Sequence, residues 1–281
     1  MRVKDTLEAI SGVAAGKPAL TTLETGRRYF GVKYLATANS TAQGNPAITN
    51  AADIVDTLEM RVGKKLIRHV TADFLIRRAK FTGITPPNNI IPIYFGEPER
   101  IEQLDEEILA WEMFGVSDFA IRTTFKDGIL TPALSGVCSY DGIPSTITDG
   151  PDKGKTIRRI MFQEPGFWNA SGGVYNITDI RTAGRSLHRI FFDGVDVTRI
   201  EVLADGVKVF DRTKADNDAE LADYELDGSQ FKFALVFDEH GQVFNALKVA
   251  RNVLVKVYSQ AGGALSAVIE TLASDYSGAP V

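Results

Sequence analysis

The sequence predicts an all-β protein built from two tandem β-sandwiches with a few short helices. Three observations support this prediction: short stretches in which apolar and polar residues alternate, turn-forming clusters of Gly, Pro, Asn and Asp between them, and a strand pattern that recurs in both halves. A period of two places successive side chains on opposite faces of a strand, as the half-buried strands of a sandwich require.

Composition and charge limit the function classes. The 281 residues are 44% hydrophobic and 24% charged, which is typical of soluble globular chains and unlike disordered, collagen-like or coiled-coil sequences. The formal net charge of −5 gives no global positive field, so we predict no direct sequence-specific binding of nucleic acid. No apolar stretch is long enough for a spanning helix, and residues 1–6 lack a signal-peptide pattern, so we expect no export signal.

Strict alternation marks the predicted strands in chain order. Each set flanks charged, polar or glycine residues and is bounded by turn-formers. The alternating residues are Phe30, Val32 and Tyr34; Leu58, Met60 and Val62; Phe119, Ile121, Thr123 and Phe125; Ile200 and Val202; Phe231, Phe233, Leu235 and Phe237; and Val253, Val255 and Val257.

One amphipathic helix is predicted after Pro98. Its apolar stripe consists of residues spaced by three and four, and Gly115 follows its end. The stripe is typical of a face that packs on a sheet. Its members are Ile101, Leu104, Ile108 and Trp111.

The least patterned stretch, residues 141–155, is dominated by turn-formers near the middle of the chain. We therefore predict two domains joined by a linker. The predicted boundaries are an N-terminal arm at 1–16, a first sandwich at 17–145, the linker at 146–155 and a second sandwich at 156–281.

The two halves carry the same order of features. Residues 58–60, a glycine at 63, an apolar stretch and Ala72-Asp73 can be laid beside residues 200–202, Gly206 and Ala215-Asp216, with one residue of gap before the glycine. Each copy describes a strand, a tight turn, a second strand and an Ala-Asp pair that caps a short helix. Later, 119–125 corresponds to 253–258, and a last apolar strand follows at 133–140 and 264–272. This recurrence predicts a duplicated β-sandwich.

Residues with catalytic chemistry are scarce. The histidines, His69, His188 and His240, form no metal-ligand spacing, and no phosphate loop, dinucleotide fingerprint or nucleophile elbow is present. Cys138 lies in an apolar run that favours a buried, inert thiol. We therefore predict no enzyme, with no catalytic, cofactor-binding or metal-binding residues.

The sequence predicts no cofactor, but two acidic clusters allow a bound structural calcium ion as the alternative. They are Asp216-Asn217-Asp218 and Asp238-Glu239-His240-Gly241. Neither follows the EF-hand pattern, and the competing interpretation is that each begins a turn, with Asp and Asn capping backbone amides.

Several short blocks resemble one family of viral proteins. In the second half they are 200–206, 214–218, 253–258 and 267–272, and at the start the block 11–16 is also similar. With the duplicated sandwich, these blocks resemble the double-jelly-roll major capsid proteins, and most closely those of the corticovirus type of tailless, membrane-containing phage. The resemblance implies two eight-stranded jelly rolls in one chain.

The same resemblance implies a function. It implies a structural subunit whose homotrimer has a pseudo-sixfold outline and tiles an icosahedral shell over an internal lipid membrane. The implied partners are further copies of itself, vertex (penton) and membrane-associated virion proteins, and the membrane surface. The implied location is the virion capsid, assembled in the host cytoplasm.

For a capsid subunit, the sequence also indicates which segments form surface loops. The Gly- and Pro-rich segments 38–50, 82–89 and 166–173 are expected to form outer loops. Residues 1–16 are expected either to lie as an arm beneath the shell, near the membrane or a neighbouring trimer, or to form a disordered tail.

The main alternative is a carbohydrate-binding or carbohydrate-cleaving β-sandwich, since lectins and several glycosidases share this architecture. Such a site needs aromatic platforms beside carboxylates. Trp111 lies on the helix stripe and is expected in the core. Trp168, in the segment Phe167-Trp168-Asn169, is the better candidate for stacking on a sugar.

Overall fold

Strands dominate the protein, which is described by a computed structural model. Two compact units make up the chain: Met1–Ala79 with Ile84–Ile160, and Lys80–Gly83 with Met161–Val281. The predicted linker, 146–155, falls outside the described part of the chain. The described residues are 2–7, 10–98, 108–142, 159–180, 182, 184–238, 246–248 and 252–276.

The first unit contains strands β1 to β11. Helix α1, Ala72–Phe81, follows β7, and a 3₁₀ turn at Ala51–Asp53 is capped by the side chain of Asn50. The strands are β1 Val3–Thr6, β2 Ile10–Ser11, β3 Pro18–Leu23, β4 Arg28–Ser40, β5 Ala47–Ile48, β6 Val55–Val62, β7 Lys65–Thr71, β8 Ile90–Tyr94, β9 Trp111–Glu112, β10 Phe119–Phe125 and β11 Ile129–Asp141.

These strands form two layers. In one, β11 lies between β1 and β4, and β4 also pairs with β5, β8 and β9. In the other, β10 lies between β3 and β6, with β2 beside β3 and β7 beside β6. The core lies between the layers: the buried Tyr34 hydroxyl of β4 donates to Thr21 Oγ1 of β3 at 2.7 Å, and the ring of Tyr29 contacts that of Phe119.

The second unit contains strands β12 to β19 and one α-helix among its described residues. A 3₁₀ turn at Gly228–Gln230 precedes β17. The elements are β12 Ile160–Ala170, β13 Gly173–Ile177, β14 Ser186–Gly194, β15 Val197–Ala204, β16 Val207–Thr213, α2 Lys214–Asp223, β17 Phe233–Val236, β18 Val253–Ser259 and β19 Gly263–Ala273.

Here the two layers have four strands each. One has the order β17-β14-β19-β12 and the other β13-β18-β15-β16. The core between them is apolar, and its members include Ile190, Phe192 and Leu235 from the first layer and Val202 and Val255 from the second.

The units share one topology. In each, the first strand lies beside the last, and the strand that follows the central hairpin and helix lies at the far side of that layer. The corresponding elements are β1 and β12, β3 and β13, β4 and β14, β6 and β15, β7 and β16, α1 and α2, β8 and β17, β10 and β18, and β11 and β19. This confirms the all-β, duplicated jelly-roll prediction.

The hairpin and helix of the two units match more closely than the sequence suggested. Leu58 corresponds to Ile200 and Thr71 to Thr213, a constant offset of 142, and both hairpins have a bulge at the same step of the pairing. No gap is needed, because the turn is Gly63-Lys64 in one unit and Asp205-Gly206 in the other. Both residues of the second turn have positive φ, as a type I′ turn requires.

The helix caps correct a detail of the predicted repeat. Thr71 Oγ1 accepts from the Phe74 amide at 3.1 Å, and Thr213 Oγ1 accepts from the Asp216 amide at 3.2 Å. Threonine therefore caps each helix, and the Ala-Asp pairs lie in the first turn.

Other expectations are corrected by the fold. Residues 3–6 and 10–11 pair with sheet strands, so they do not form the separate arm predicted at 1–16. Residues 99–107 lie outside the described residues, and Trp111 lies in β9 rather than on a helix that ends at Gly115. The predicted strand at 231–237 shortens to β17, whose four residues are all buried.

The predicted loops differ among themselves. Segment 82–89 has no helix or strand, as expected. Segment 38–50 is instead a hairpin in which β5 pairs with the end of β4. Most of 166–173 belongs to β12, because its alternating residues continue that strand. No helix within the described residues is long and apolar enough to cross a membrane.

Candidate functional site

The residues that could take part in chemistry or in ligand binding mostly lie in the packed core. Trp111 is fully buried, as predicted, and stacks on Phe95 with ring centroids 4.5 Å apart. Cys138 is buried in β11, and burial raises the pKa of its thiol, with the negative charge of Asp5 adding to the effect. A raised pKa lowers the thiolate fraction at neutral pH, as an inert thiol requires.

The histidines occupy ordinary strand positions where they are described. His69 is half-buried in β7, and His188 is buried in β14. His240 lies outside the described residues. The prediction that the three histidines form no metal site stays a prediction.

Asp238, from the second acidic cluster, forms a buried ion pair. Arg189 Nε and Nη2 donate to its two carboxylate oxygens, each at 3.1 Å, and His188 Nδ1 lies 3.6 Å from Oδ1. The other members of that cluster, 239–241, lie outside the described residues. The two donors of Arg189 match the two carboxylate oxygens, so this Asp serves the core of the second unit.

The first acidic cluster is built into the start of α2. Asp216 accepts from the Thr213 hydroxyl at 2.6 Å, and Asp218 pairs with Lys214. Asn217 is buried, and its Nδ2 donates to the Ala234 carbonyl at 2.9 Å. Each side chain has a protein partner, but the group that caps the helix is Thr213 and not an Asp or Asn of the cluster. Calcium binding here stays a prediction.

Trp168 is not an open platform. Its ring lies over Gly166, where an added Cβ would come within 2.3 Å of the ring, and its Nε1 donates to Asp179 Oδ1 at 3.0 Å. The half-buried ring also packs against the core of the second unit. Neighbouring Phe167, 76% exposed, is the open aromatic ring of this segment, so the sugar-stacking candidate was wrongly placed.

An apolar trough crosses the outer face of the first unit. Two adjoining cavities, of about 470 and 330 Å³, share Lys33, Tyr94 and Val137 in their linings. The larger is bounded by Leu35 and by the loop 84–87, and the smaller by Arg2 and Lys4 of the amino-terminal segment. Apolar walls with cations at one end form a surface for contact, without a nucleophile or a facing pair of acids.

This trough was not predicted from the sequence. Its signal is that the outward positions of β4 and β11 include Leu35 and Val137, where a solvated face would carry polar residues. Prolines add a second signal: 86 and 87 lie in the bordering loop and 92 in β8.

The layer β13-β18-β15-β16 of the second unit carries a charged network on its outer face. Arg199 donates to both oxygens of Asp211, at 2.7 and 2.8 Å, and Lys208 Nζ donates to the same carboxylate at 2.9 Å. These hydrogen bonds hold the pKa of Asp211 well below its usual range. Beside them, Lys256 donates to Glu201 at 2.7 Å and lowers the pKa of that carboxyl.

Both units match sequence models of one family. The viral coat protein P2 N-terminal domain matches residues 4–141, and the viral coat protein P2 C-terminal domain matches residues 161–274. The chain belongs to the viral coat protein P2 family. It is a structural protein of the virion capsid and not an enzyme, as the resemblance implied. Among curated proteins, no sequence matches this coat protein.

Solved capsid proteins share the fold of this coat protein at low identity. The crystal structure of the major capsid protein P2 from bacteriophage PM2 aligns over 97% of both chains, with a TM-score of 0.81 and 18% identity. The major capsid protein of Sulfolobus Turreted Icosahedral Virus covers 99% of this chain and 98% of its own, with a TM-score of 0.65 and 12% identity. The PBCV-1 virus capsid covers 97% and 94%, with a TM-score of 0.58 and 9% identity. These likenesses confirm the double jelly roll.

Proposed function

We propose that this coat protein is a major capsid subunit that forms homotrimers with a pseudo-sixfold outline, and that the trimers tile an icosahedral shell over an internal lipid membrane. The observation that carries the proposal is the duplicated jelly roll. Three chains supply six units of one topology, and rotation about a threefold axis closes the ring without free ends.

The capsid subunit also has partners around it in the virion. Trimers contact one another in the lattice, vertex proteins fill the fivefold positions, and membrane-associated virion proteins and the lipid surface lie beneath. Assembly takes place in the host cytoplasm. The family match supports self-assembly into a capsid.

Light scattering after size-exclusion chromatography tests the trimer. The chain has a mass of 30.6 kDa, and we expect a stable species near three times that value. Electron microscopy of the concentrated trimer, with and without anionic lipid vesicles, is then expected to show hexagonal arrays or shells. A species of one chain at all concentrations would contradict the proposal and redirect attention to carbohydrate binding.

A further inference from the structure

Two corresponding strands of the units, β7 and β16, differ in exposure. In β7 the residue at the bulge, Ile67, is 1% exposed, whereas its counterpart in β16, Val209, is 42% exposed. Val207, beside the turn, is 66% exposed at a position where the first unit has the charged Lys65. The two strands correspond in the fold, but β16 ends its sheet whereas β7 does not, so Val207 and Val209 lie at an open edge and Ile67 does not.

The first strands of the units also differ in exposure, but here the strand of the first unit is the exposed one. All four residues of β1 are exposed, whereas β12 begins with four buried residues, 160–163. Within the described residues, β1 and β16 are each the last strand of their sheet, paired on one side only. These two strands are therefore open edges, one in each unit, and they are not equivalent; β2, β5, β13 and β17 also end their sheets.

Open strand edges with exposed apolar residues are templates for pairing with another strand. Soluble proteins commonly protect such edges with charges or proline, but the charges of β16 are already used within its own sheet: Lys208 and Asp211 form the network with Arg199. Its remaining exposed features are the two valines, Thr213 and the backbone.

We infer that the open edge of β16 in one copy lies against the open edge of β1 in the next copy, and that this contact joins the subunits of the proposed trimer. The inference rests on the proposed function. Two different edges make a heterologous contact, which closes into a ring when the rotation is a third of a turn.

The net charges of the two units favour a second copy of this chain as the partner of the β16 edge. Residues 161–281 carry 11 Lys and Arg against 17 Asp and Glu, a net charge of −6, whereas residues 1–160 carry 20 against 19, a net charge of +1. The β1 edge also has Arg2 and Lys4 at the end of the trough. A contact between the second unit of one copy and the first unit of another is therefore attractive, whereas a contact between two second units is repulsive.

Two double variants test the contact. Val207→Glu with Val209→Glu alters the β16 edge, and Val3→Glu with Lys4→Glu alters the β1 edge; all four side chains are exposed, so folding is retained. Matched controls are Leu20→Glu and Val174→Glu, at 45% and 49% exposed positions on β3 and β13. Light scattering is expected to show one chain for each double variant and three for the controls.

Mixing the two double variants tests whether β16 of one copy pairs with β1 of another. Each retains the edge that the other lacks, so an equimolar mixture can form one contact but cannot close a ring. We expect a species near twice 30.6 kDa, which neither variant forms alone. Hydrogen exchange adds a second measurement: amides of 3–6 or 207–213 are expected to exchange at least tenfold more slowly in the wild-type trimer than in the variants.

The outcomes separate the inference from the proposed function. If the wild-type protein is a trimer and either double variant is also a trimer, the assignment to these edges is wrong, although the trimer itself stands. The same conclusion follows if the control variants also dissociate. A mixture that stays at one chain would overturn the pairing of β16 with β1. A wild-type chain that is monomeric would overturn both.

Discussion

At the scale of single residues, several buried charges among the described residues of this coat protein form ion pairs. Arg28 of β4 donates to both oxygens of Asp141 at the end of β11, and Arg78 of α1 pairs with the buried Glu97 at 3.0 Å. A buried pair can add little net stability, but removing one partner leaves an uncompensated charge in the core. The pairs therefore fix which side chains can meet when the sheets close.

The Arg189–Asp238 pair gives a direct prediction. Asp238→Asn leaves a buried guanidinium without its counter-charge, so the free energy of unfolding should fall by about 3–5 kcal/mol. Urea denaturation followed by circular dichroism measures this. Asp196→Asn is the control, since Asp196 pairs with Lys232 in solvent and its loss should leave stability nearly unchanged. Equal effects of the two substitutions would contradict the assigned role.

Cys138 should react slowly with thiol reagents. Burial raises the pKa of its thiol, so little thiolate is present at neutral pH, and the residue is only 5% exposed. Titration with an aromatic disulfide reagent at pH 7.5 should detect no rapid thiol in the native protein and one in urea. A Val174→Cys variant is expected to add one rapidly reacting thiol. Rapid labelling of the wild-type protein would show that β11 opens readily at this point.

At the scale of elements, the repeated unit is a hairpin followed by a capped helix. The same offset relates both strands, the bulge and the capping threonine in the two units. A bulge increases local twist and a capping threonine satisfies a free amide at the helix start, so both features direct the chain from the hairpin into a ten-residue helix.

The caps are testable as a pair. Thr71→Ala and Thr213→Ala should each lower the free energy of unfolding by about 0.5–2 kcal/mol, because each leaves a first-turn amide unsatisfied. Thr213 has a further bond to Asp216, so its substitution should have the larger effect. Chemical denaturation measures both, with Thr→Ser at each position as the matched control that retains the hydroxyl. A serine variant as unstable as the alanine variant would show that the methyl group, not the cap, matters.

At the scale of the whole molecule, stability comes from packing within each unit. We predict that a chelator leaves the melting temperature and the mass of the assembled protein unchanged, since Asp216, Asp218 and Asp238 already have protein partners. Differential scanning calorimetry with and without EDTA, at matched ionic strength, tests this. A fall of several degrees that calcium alone reverses would instead establish a structural cation.

The sequence by itself determined the fold class and the duplication. Alternation and turn residues are local properties, so β10 and β18 were predicted close to their observed bounds and β6 and β15 in their central residues. The recurrence of the hairpin was also predicted, although with a one-residue gap that the strand pairing removes. The family resemblance rested on the same local blocks.

Only the tertiary structure decided the environment of individual side chains. The spacing around Trp111 suits a helix, yet pairing with β4 makes it a strand, and the packing of Trp168 over Gly166 removes it as a sugar platform. The open edges of β1 and β16 depend on partners far along the chain: β1 pairs with β11 through Val3 and Tyr140. No local pattern records which strands meet, because burial and edge position arise from the summed packing of distant segments.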